Sequence, residues 1–160
     1  MENKDIEKEY LRKYKSEIEM IYYLINRFPA GITKTRLLKL LYLIDFRSKE
    51  KLGKKITKFT YDYYYYGPYS ESFIKTLNFS KGYEVTETTK VTSNLEVIYL
   101  YTPGMQPRVS AQLSSLNKTQ KKIIEEVIDQ YGQLEFKELL GEVYKTRPIE
   151  RKHFGTKNIL

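Results

Sequence analysis

The segment 37–46 constrains the fold more than any other part of the chain, because it is apolar at every position except Lys39 and Asp45. A helix that is apolar on nearly all sides is stable only when other elements cover it. We therefore expect this segment to form the central helix of a packed domain. Thr33 can cap the amino end of that helix, and Gly53 suits the left-handed residue that follows its carboxyl end.

Asp45 lies inside this apolar helix, where an unpaired carboxylate would be costly. We expect it to be buried and to accept hydrogen bonds from a tyrosine hydroxyl, a backbone amide or a nearby Arg or Lys. A structural role of this kind is favoured over the alternative, a carboxylate that works in a functional site.

The rest of the chain shows helical periodicity towards both ends and strand-forming residues in the middle. The patterns predict a helix from about 5 to 28, an aromatic strand or extended loop over 59–66, a turn at Gly67-Pro68 with Pro68 near the first turn of a short helix capped by Ser70, a β-hairpin from 83–91 and 95–101, a helix after Asn117, and a last helix over 136–144. These elements indicate a mostly helical α+β fold, a single helical domain with a small β-hairpin or β element.

We place this single domain at residues 1–147, with a surface linker at 102–116 and a basic carboxyl-terminal tail at 148–160 that we expect to be mobile. The first residues are charged and lack the apolar segment of a secretory signal. The apolar run 40–44 has five residues and no apolar run exceeds six, whereas a membrane span needs about 20. The expected location is cytoplasmic, with no membrane contact.

The composition removes several classes of catalytic and metal site. The chain has no Cys and a single histidine, which excludes disulfide scaffolds, thiolate zinc sites and cysteine nucleophiles. The eight glycines never lie close enough together for a phosphate-binding loop. His153 lies in the charged tail, and the paired carboxylates of the last two helices fall on their solvent sides. We therefore expect no enzyme, no cofactor and no metal site.

The net charge of +8 is concentrated in residues 34–66, where nine basic residues accompany three acidic ones. The same stretch and its continuation carry a run of tyrosines, which combine a large rigid contact area with a polar tip. We expect about half of them to be buried and the rest to form a partner-binding surface with neighbouring basic residues. The candidates are Tyr63, Tyr65, Tyr66, Tyr69, Arg47, Lys51, Lys54 and Lys55. The alternative is that the tyrosines fill the core and the lysines only maintain solubility.

Such a surface fits two classes of partner. One is a protein; the other is a nucleic acid, which the basic, tyrosine-rich segment 34–66 would bind through phosphates and stacked bases. The two last helices, joined at 131–133, imitate a helix-turn-helix, but the last one carries a net acidic polar face that phosphates would repel. A protein partner is therefore favoured.

Several of these residues together carry a resemblance to a known family. The run from Lys39 through Leu41 and Tyr42 to Asp45, followed by Tyr66-Gly67-Pro68, a short helix that begins at a serine, and Tyr131-Gly132, resembles the SocA-like antitoxin family, also called the Panacea domain or phage-associated domain. The resemblance covers about residues 10–147. Leu38 stands where the family often has Gln, and a His that is often present in the last helix is replaced near Tyr144.

This resemblance implies a mostly helical domain with a small β element that acts without catalysis. It implies an antitoxin that neutralises a partner toxin by direct contact, and in some members an adaptor that delivers the toxin to a cytoplasmic protease. The toxins paired with the family are chemically diverse, so the resemblance does not identify the partner. The alternative function is a nucleic-acid-binding regulator that uses the segment 34–66.

Overall fold

The computed structural model describes residues 2–65, 67–150 and 154–160. In chain order its elements are α1 (Asn3–Lys13), α2 (Lys15–Asn26), β1 (Ile32–Thr33), α3 (Lys34–Leu52), β2 (Asp62–Tyr64), β3 (Gly67–Tyr69), α4 (Glu71–Ser80), β4 (Val85–Val91), β5 (Val97–Pro103), α5 (Lys118–Tyr131), α6 (Phe136–Tyr144) and α7 (Arg147–Glu150). Among the described residues, helices predominate and two small antiparallel sheets accompany them, so the predicted α+β class is confirmed.

The chain divides into two compact units. The first, the sheet unit, comprises Met1–Thr33 and Lys75–Ser115, and the second, the helical unit, comprises Lys34–Ile74 and Leu116–Leu160. One boundary falls between β1 and α3, and another falls inside α4. The predicted boundaries of a single domain over 1–147 and a tail over 148–160 stay predictions.

A three-stranded antiparallel sheet in the order β1-β5-β4 organises the sheet unit. β4 and β5 form the predicted hairpin, with Val85 opposite Pro103, and β1 lies along the other edge of β5, with Ile32 opposite Tyr101. Helix α2 packs against β5. Burial of each large apolar side chain contributes about 1.5–3 kcal/mol to folding. The large apolar side chains of α2 that are fully buried are Ile18, Met20, Ile21, Leu24 and Ile25.

Arg108 fastens the chain that follows β5 to the sheet unit. Its guanidinium lies 4.4 Å from the ring centre of Phe79 and 4.0 Å from that of Tyr83. It also pairs with the buried carboxylate of Glu84 at 2.8 Å. The stretch 102–116 therefore begins in β5 and is held by this cluster, and its role as a linker stays a prediction.

Helix α3 is the centre of the helical unit, as predicted, and packs against α5, α6 and β3. Every residue from 37 to 45 is buried. Gly53 adopts φ +78° after the helix, and its N–H donates to the Lys49 carbonyl at 3.0 Å. Helix α5 begins with the predicted cap: the Asn117 side chain accepts from the Gln120 amide at 2.9 Å, and the Gln120 side chain accepts from the Asn117 amide at 3.0 Å.

Two local predictions need correction. The helix predicted from 5 to 28 is divided into α1 and α2 at Tyr14, whose φ and ψ of −109° and 19° lie outside the helical region. Pro68, expected near the first turn of a helix, instead lies in β3, and α4 begins three residues later. Ser70 does cap α4, because its hydroxyl accepts from the Phe73 amide at 3.1 Å. The proline thus pairs with β2 and leaves the helix start to the serine.

Candidate functional site

Asp45 is fully buried on α3 and accepts four hydrogen bonds. Its Oδ1 accepts from the backbone amides of Ile56 and Thr57, both at 2.9 Å. Its Oδ2 accepts from the Thr57 hydroxyl at 2.5 Å and from the Tyr61 hydroxyl at 2.7 Å. Burial raises the pKa of Asp45 above its ordinary value, and these four bonds oppose that shift. The prediction that Asp45 is buried and hydrogen-bonded is confirmed, and the carboxylate ties the loop after α3 to the helix.

Lys39, six residues before Asp45 on the same helix, is also buried, with 3% of its surface exposed. Its Nζ donates to the Pro68 carbonyl at 2.7 Å and so joins α3 to β3. An ammonium group has three N–H donors, and the described residues offer it this one acceptor. Burial lowers the pKa of Lys39 to about 8, because removing a charge from water disfavours the protonated form.

Four exposed aromatic rings lie against one another at the hairpin formed by β2 and β3, and we call them the aromatic patch. The ring centres of Tyr64 and Tyr69 are 5.5 Å apart, those of Tyr64 and Tyr65 are 5.8 Å apart, and those of Tyr65 and Phe154 are 4.5 Å apart. Their exposed fractions are 45% for Tyr64, 74% for Tyr65, 38% for Tyr69 and 52% for Phe154. Large aromatic side chains in mutual contact at the surface are typical of a site that binds another molecule.

Backbone hydrogen bonds to the segment around β2 hold the residues that follow Phe154. The Tyr63 amide donates to the Thr156 carbonyl at 2.8 Å, and the Gly155 amide donates to the Tyr63 carbonyl at 2.9 Å. The Ile159 amide donates to the carbonyl of residue 61 at 2.8 Å. Residues 154–160 are therefore docked rather than free, which corrects the expectation of a mobile tail for these positions. Phe154 is held beside the tyrosines by this docking.

A small cavity of about 140 Å³ opens beside the aromatic patch, and we call it the tyrosine pocket. Lys39 lines it, and Gly67, at φ +90°, brings the backbone close to that lysine without a side chain. A Cβ at position 67 would lie 3.9 Å from the Lys39 Nζ. The remaining lining residues are Thr35, Leu38, Tyr64, Tyr65, Pro68 and Tyr69.

Two of the predicted basic residues face another helix of the unit. Arg47 donates to the Gln130 side chain at 2.9 Å and to the Tyr131 hydroxyl at 3.1 Å. Lys51 pairs with Glu126 at 3.3 Å. An α-helix rises about 1.5 Å per residue, so Lys51 lies about 18 Å along α3 from Lys39, which lines the tyrosine pocket. The side chains of these two α3 residues therefore lie against α5 and not at the tyrosine pocket.

The other two predicted basic residues lie in the loop after α3. Lys54 is exposed, and its carbonyl accepts from the Ser48 hydroxyl at 2.7 Å. The Lys55 ammonium donates to the Phe59 carbonyl and is half-buried. Both help to shape the loop that Asp45 holds, and neither lines the tyrosine pocket.

The remaining motif and candidate residues lie in the core, at the hairpin or outside the described residues. Leu41 and Tyr42 are fully buried, and the Tyr42 hydroxyl lies 2.9 Å from that of Thr146. Tyr63 is half-buried, with its ring centre 6.5 Å from that of Phe154. Tyr66, predicted both as a motif residue and as a partner-binding residue, lies outside the described residues.

Two of the patch residues were missed as binding residues at the sequence level. In the hairpin, Asp62 lies opposite Tyr69, and Tyr64 is two residues after Asp62 on the same strand. Residues two apart on a strand share a face, so strand alternation could have grouped Tyr64 with Tyr69. No local pattern points to Phe154, which is 89 positions from Tyr65 in the sequence.

The described residues contain no group of three or more His, Asp or Glu side chains placed to hold a metal ion. In the same residues, no helix has both the length and the apolar character needed to cross a membrane.

Comparison with known families gives one match. A family model described as antitoxin SocA-like, Panacea domain, matches residues 37–148. The matched region contains α3, the β2–β3 hairpin with its tyrosines, and the helices as far as the start of α7. The family predicted from the sequence motifs is therefore confirmed. Searches of curated proteins and of solved structures found no match.

Proposed function

The chain belongs to the SocA-like, Panacea-domain family of antitoxins, and from that premise we propose that it neutralises a protein toxin by direct, non-catalytic contact through the aromatic patch. The observation that carries this proposal is the patch itself: Tyr64, Tyr65, Tyr69 and Phe154 are in mutual contact and substantially exposed. Tyrosine provides large contact area at low conformational cost, since only two side-chain torsions must be fixed on binding.

The backbone beneath the patch supports the same proposal. Lys39 holds the Pro68 carbonyl on one strand of the hairpin, and residues 155 and 156 are hydrogen-bonded to the other strand at Tyr63. Rings held on an ordered backbone lose less freedom on binding than rings on a flexible loop. Tyr65 and Tyr69 keep the partner-binding role predicted for them, and Tyr64 and Phe154 join them.

A protein partner suits this surface better than a nucleic acid. Arg47 and Lys51 hydrogen-bond to α5 residues, about 12 Å and about 18 Å along α3 from Lys39 at about 1.5 Å per residue. These two cations therefore do not extend the patch into the stripe of basic residues that phosphate binding needs. An aromatic interface of this kind should depend only weakly on salt, whereas phosphate contacts weaken steeply as salt rises.

The experiment is a rescue assay in which the chain is co-expressed with the product of its neighbouring gene. Tyr64→Ala and Tyr65→Ala are the test variants, and Tyr99→Ala is the matched control, because Tyr99 lies on β5 and is 46% exposed, close to the 45% of Tyr64. We expect the two patch variants to lose rescue of growth while Tyr99→Ala retains it. A partner that is harmless when expressed alone, or patch variants that still rescue, would contradict the proposal.

The level of the toxin separates two mechanisms in the same assay. Neutralisation by contact predicts an unchanged amount of toxin on an immunoblot, together with a complex that survives high salt. An adaptor that delivers the toxin to a protease predicts instead that the toxin disappears when the chain is present and persists when the protease is deleted.

A further inference from the structure

We propose that the tyrosine pocket binds the carboxylate of an Asp or Glu side chain presented by the protein partner, and that Lys39 is the residue that pairs with it. This inference rests on the proposed partner-binding function, because the aromatic patch forms part of the pocket wall. It adds the chemistry by which a partner would be recognised at the centre of that surface.

The first support is the incomplete pairing of Lys39. Its ammonium is buried and has one acceptor among the described residues, the neutral carbonyl of Pro68. It makes no ion pair within the described part of the chain. A desolvated cation without a counter-ion is unfavourable, and a carboxylate brought into contact with it gains a charge-assisted hydrogen bond.

The second support is the size of the tyrosine pocket. Its volume of about 140 Å³ is well below the range of about 300–1,000 Å³ that is usual for sites that hold a free small molecule. A cavity of this size suits the end of one side chain that remains attached to a larger partner. Gly67 and Lys39 both line the pocket, and a Cβ at position 67 would lie 3.9 Å from the Lys39 Nζ.

The third support is the lining of the pocket. Leu38 and Pro68 give apolar walls that suit the methylene part of an acidic side chain. The hydroxyls of Tyr64, Tyr65 and Tyr69 make no hydrogen bond to any described residue, and a phenolic hydroxyl can donate to a carboxylate. The lowered pKa of Lys39 agrees with this arrangement, because a bound carboxylate would favour the charged ammonium that burial now disfavours.

The same features favour a side chain over the free carboxyl terminus of a partner. Carboxyl termini are usually held by several backbone N–H groups that converge on one point. The donors described here are an ammonium and phenolic hydroxyls, which require no such convergence. We therefore assign the pocket to a side-chain carboxylate.

The experiment measures binding of short peptides to the full chain by NMR, observing the side-chain signals of Lys39 and of the pocket tyrosines. Three peptides serve as probes: acetyl-Gly-Glu-Gly-amide, acetyl-Gly-Gln-Gly-amide and acetyl-Gly-Gly-Gly with a free carboxyl terminus. We expect the Glu peptide to bind about tenfold more tightly than the Gln peptide, which corresponds to about 1.4 kcal/mol. We also expect it to raise the pKa of Lys39 by about one unit. The peptide with the free carboxyl terminus should bind as weakly as the Gln peptide.

Two variants provide the control. Lys39→Met keeps the length of the side chain and removes its charge, so it should abolish the preference for Glu over Gln. Lys51→Met removes an exposed charge from the same helix and should leave the preference intact. If Lys39→Met fails to fold by circular dichroism, the comparison of the peptides on the unmodified chain decides the question alone.

Equal binding of the Glu and Gln peptides would overturn the inference, and so would stronger binding of the free carboxyl terminus or an unchanged preference in Lys39→Met. These outcomes are distinct from failure of the proposed function. A chain that prefers the Glu peptide but cannot rescue growth keeps a carboxylate site and loses the antitoxin role. A chain that rescues growth without this preference binds its partner through the aromatic patch in another way.

Discussion

Replacement of Asp45 by Ala should destabilise the chain because it leaves donors unpaired inside the helical unit. The carboxylate accepts from two backbone amides and two hydroxyls, and all four belong to the loop between α3 and β2. Alanine removes both acceptor oxygens at once. The loop that leads to the aromatic patch would then lose its attachment to the central helix.

The size of the effect follows from which donors can find another partner. The Thr57 amide and the Tyr61 hydroxyl are buried, and each costs about 1–3 kcal/mol when left unpaired. The Ile56 amide is only partly buried and can turn to water. Part of this loss is offset, because burial already raises the pKa of Asp45 and so makes its charged form unfavourable. A net loss of about 3 kcal/mol in the free energy of unfolding is the result we expect.

Urea unfolding followed by far-ultraviolet circular dichroism measures this loss. With a slope of about 2 kcal/mol per molar urea, the midpoint should fall by about 1.5 M. Asp45→Asn keeps an oxygen for the two amides and should lose only about 1 kcal/mol. Glu50→Ala, an exposed position on the same helix, should change stability by less than about 0.5 kcal/mol. An Asp45→Ala midpoint that matches the Glu50→Ala midpoint would refute the reasoning.

Three further predictions concern stability. Burial lowers the pKa of Lys39 to about 8 from an ordinary value of 10.5, so between these pH values the unfolded chain binds more protons than the folded chain. The stability of the unmodified chain should therefore rise relative to Lys39→Met from pH 8 to 10.5. Parallel pH profiles of the two urea midpoints would contradict this. Gly67→Val should lose about 2 kcal/mol in the free energy of unfolding, since position 67 has φ +90°. Gly141→Ala, in the open part of α6, should not destabilise the chain. Equal urea midpoints for the two variants would show that the turn tolerates a side chain. Asn117→Ala should lose about 1 kcal/mol by removing the cap of α5, and an unchanged thermal midpoint would count against it.

Local patterns in the sequence were sufficient for much of the helical unit and for one hairpin of the sheet unit. The apolar run around Leu41 predicted the central position of α3, and the isolated Asp45 predicted a buried, hydrogen-bonded carboxylate. The cap at Asn117 and the hairpin of β4 and β5 were likewise predicted from neighbouring residues. These features depend on periodicity, on caps and on turns, whose physical causes act over a few positions.

The candidate site was less predictable, because it depends on which distant residues meet. The sequence grouped the tyrosines with Arg47 and Lys51, but in the fold the side chains of these two α3 residues contact α5 instead. Lys39 was identified as a motif residue, and only the fold showed that it lines the tyrosine pocket and has a single described acceptor.

The sequence by itself determined the family motif, the central helix and the density of tyrosines near residues 61–69, because each is a property of adjacent or periodically spaced residues. Only the tertiary structure decided that Phe154 joins Tyr64 and Tyr65, that residues 155–159 pair with the segment around β2, and that Lys39 lines the tyrosine pocket. The physical reason is that these contacts join positions far apart in the chain, and packing of the whole helical unit, not local propensity, brings such positions together.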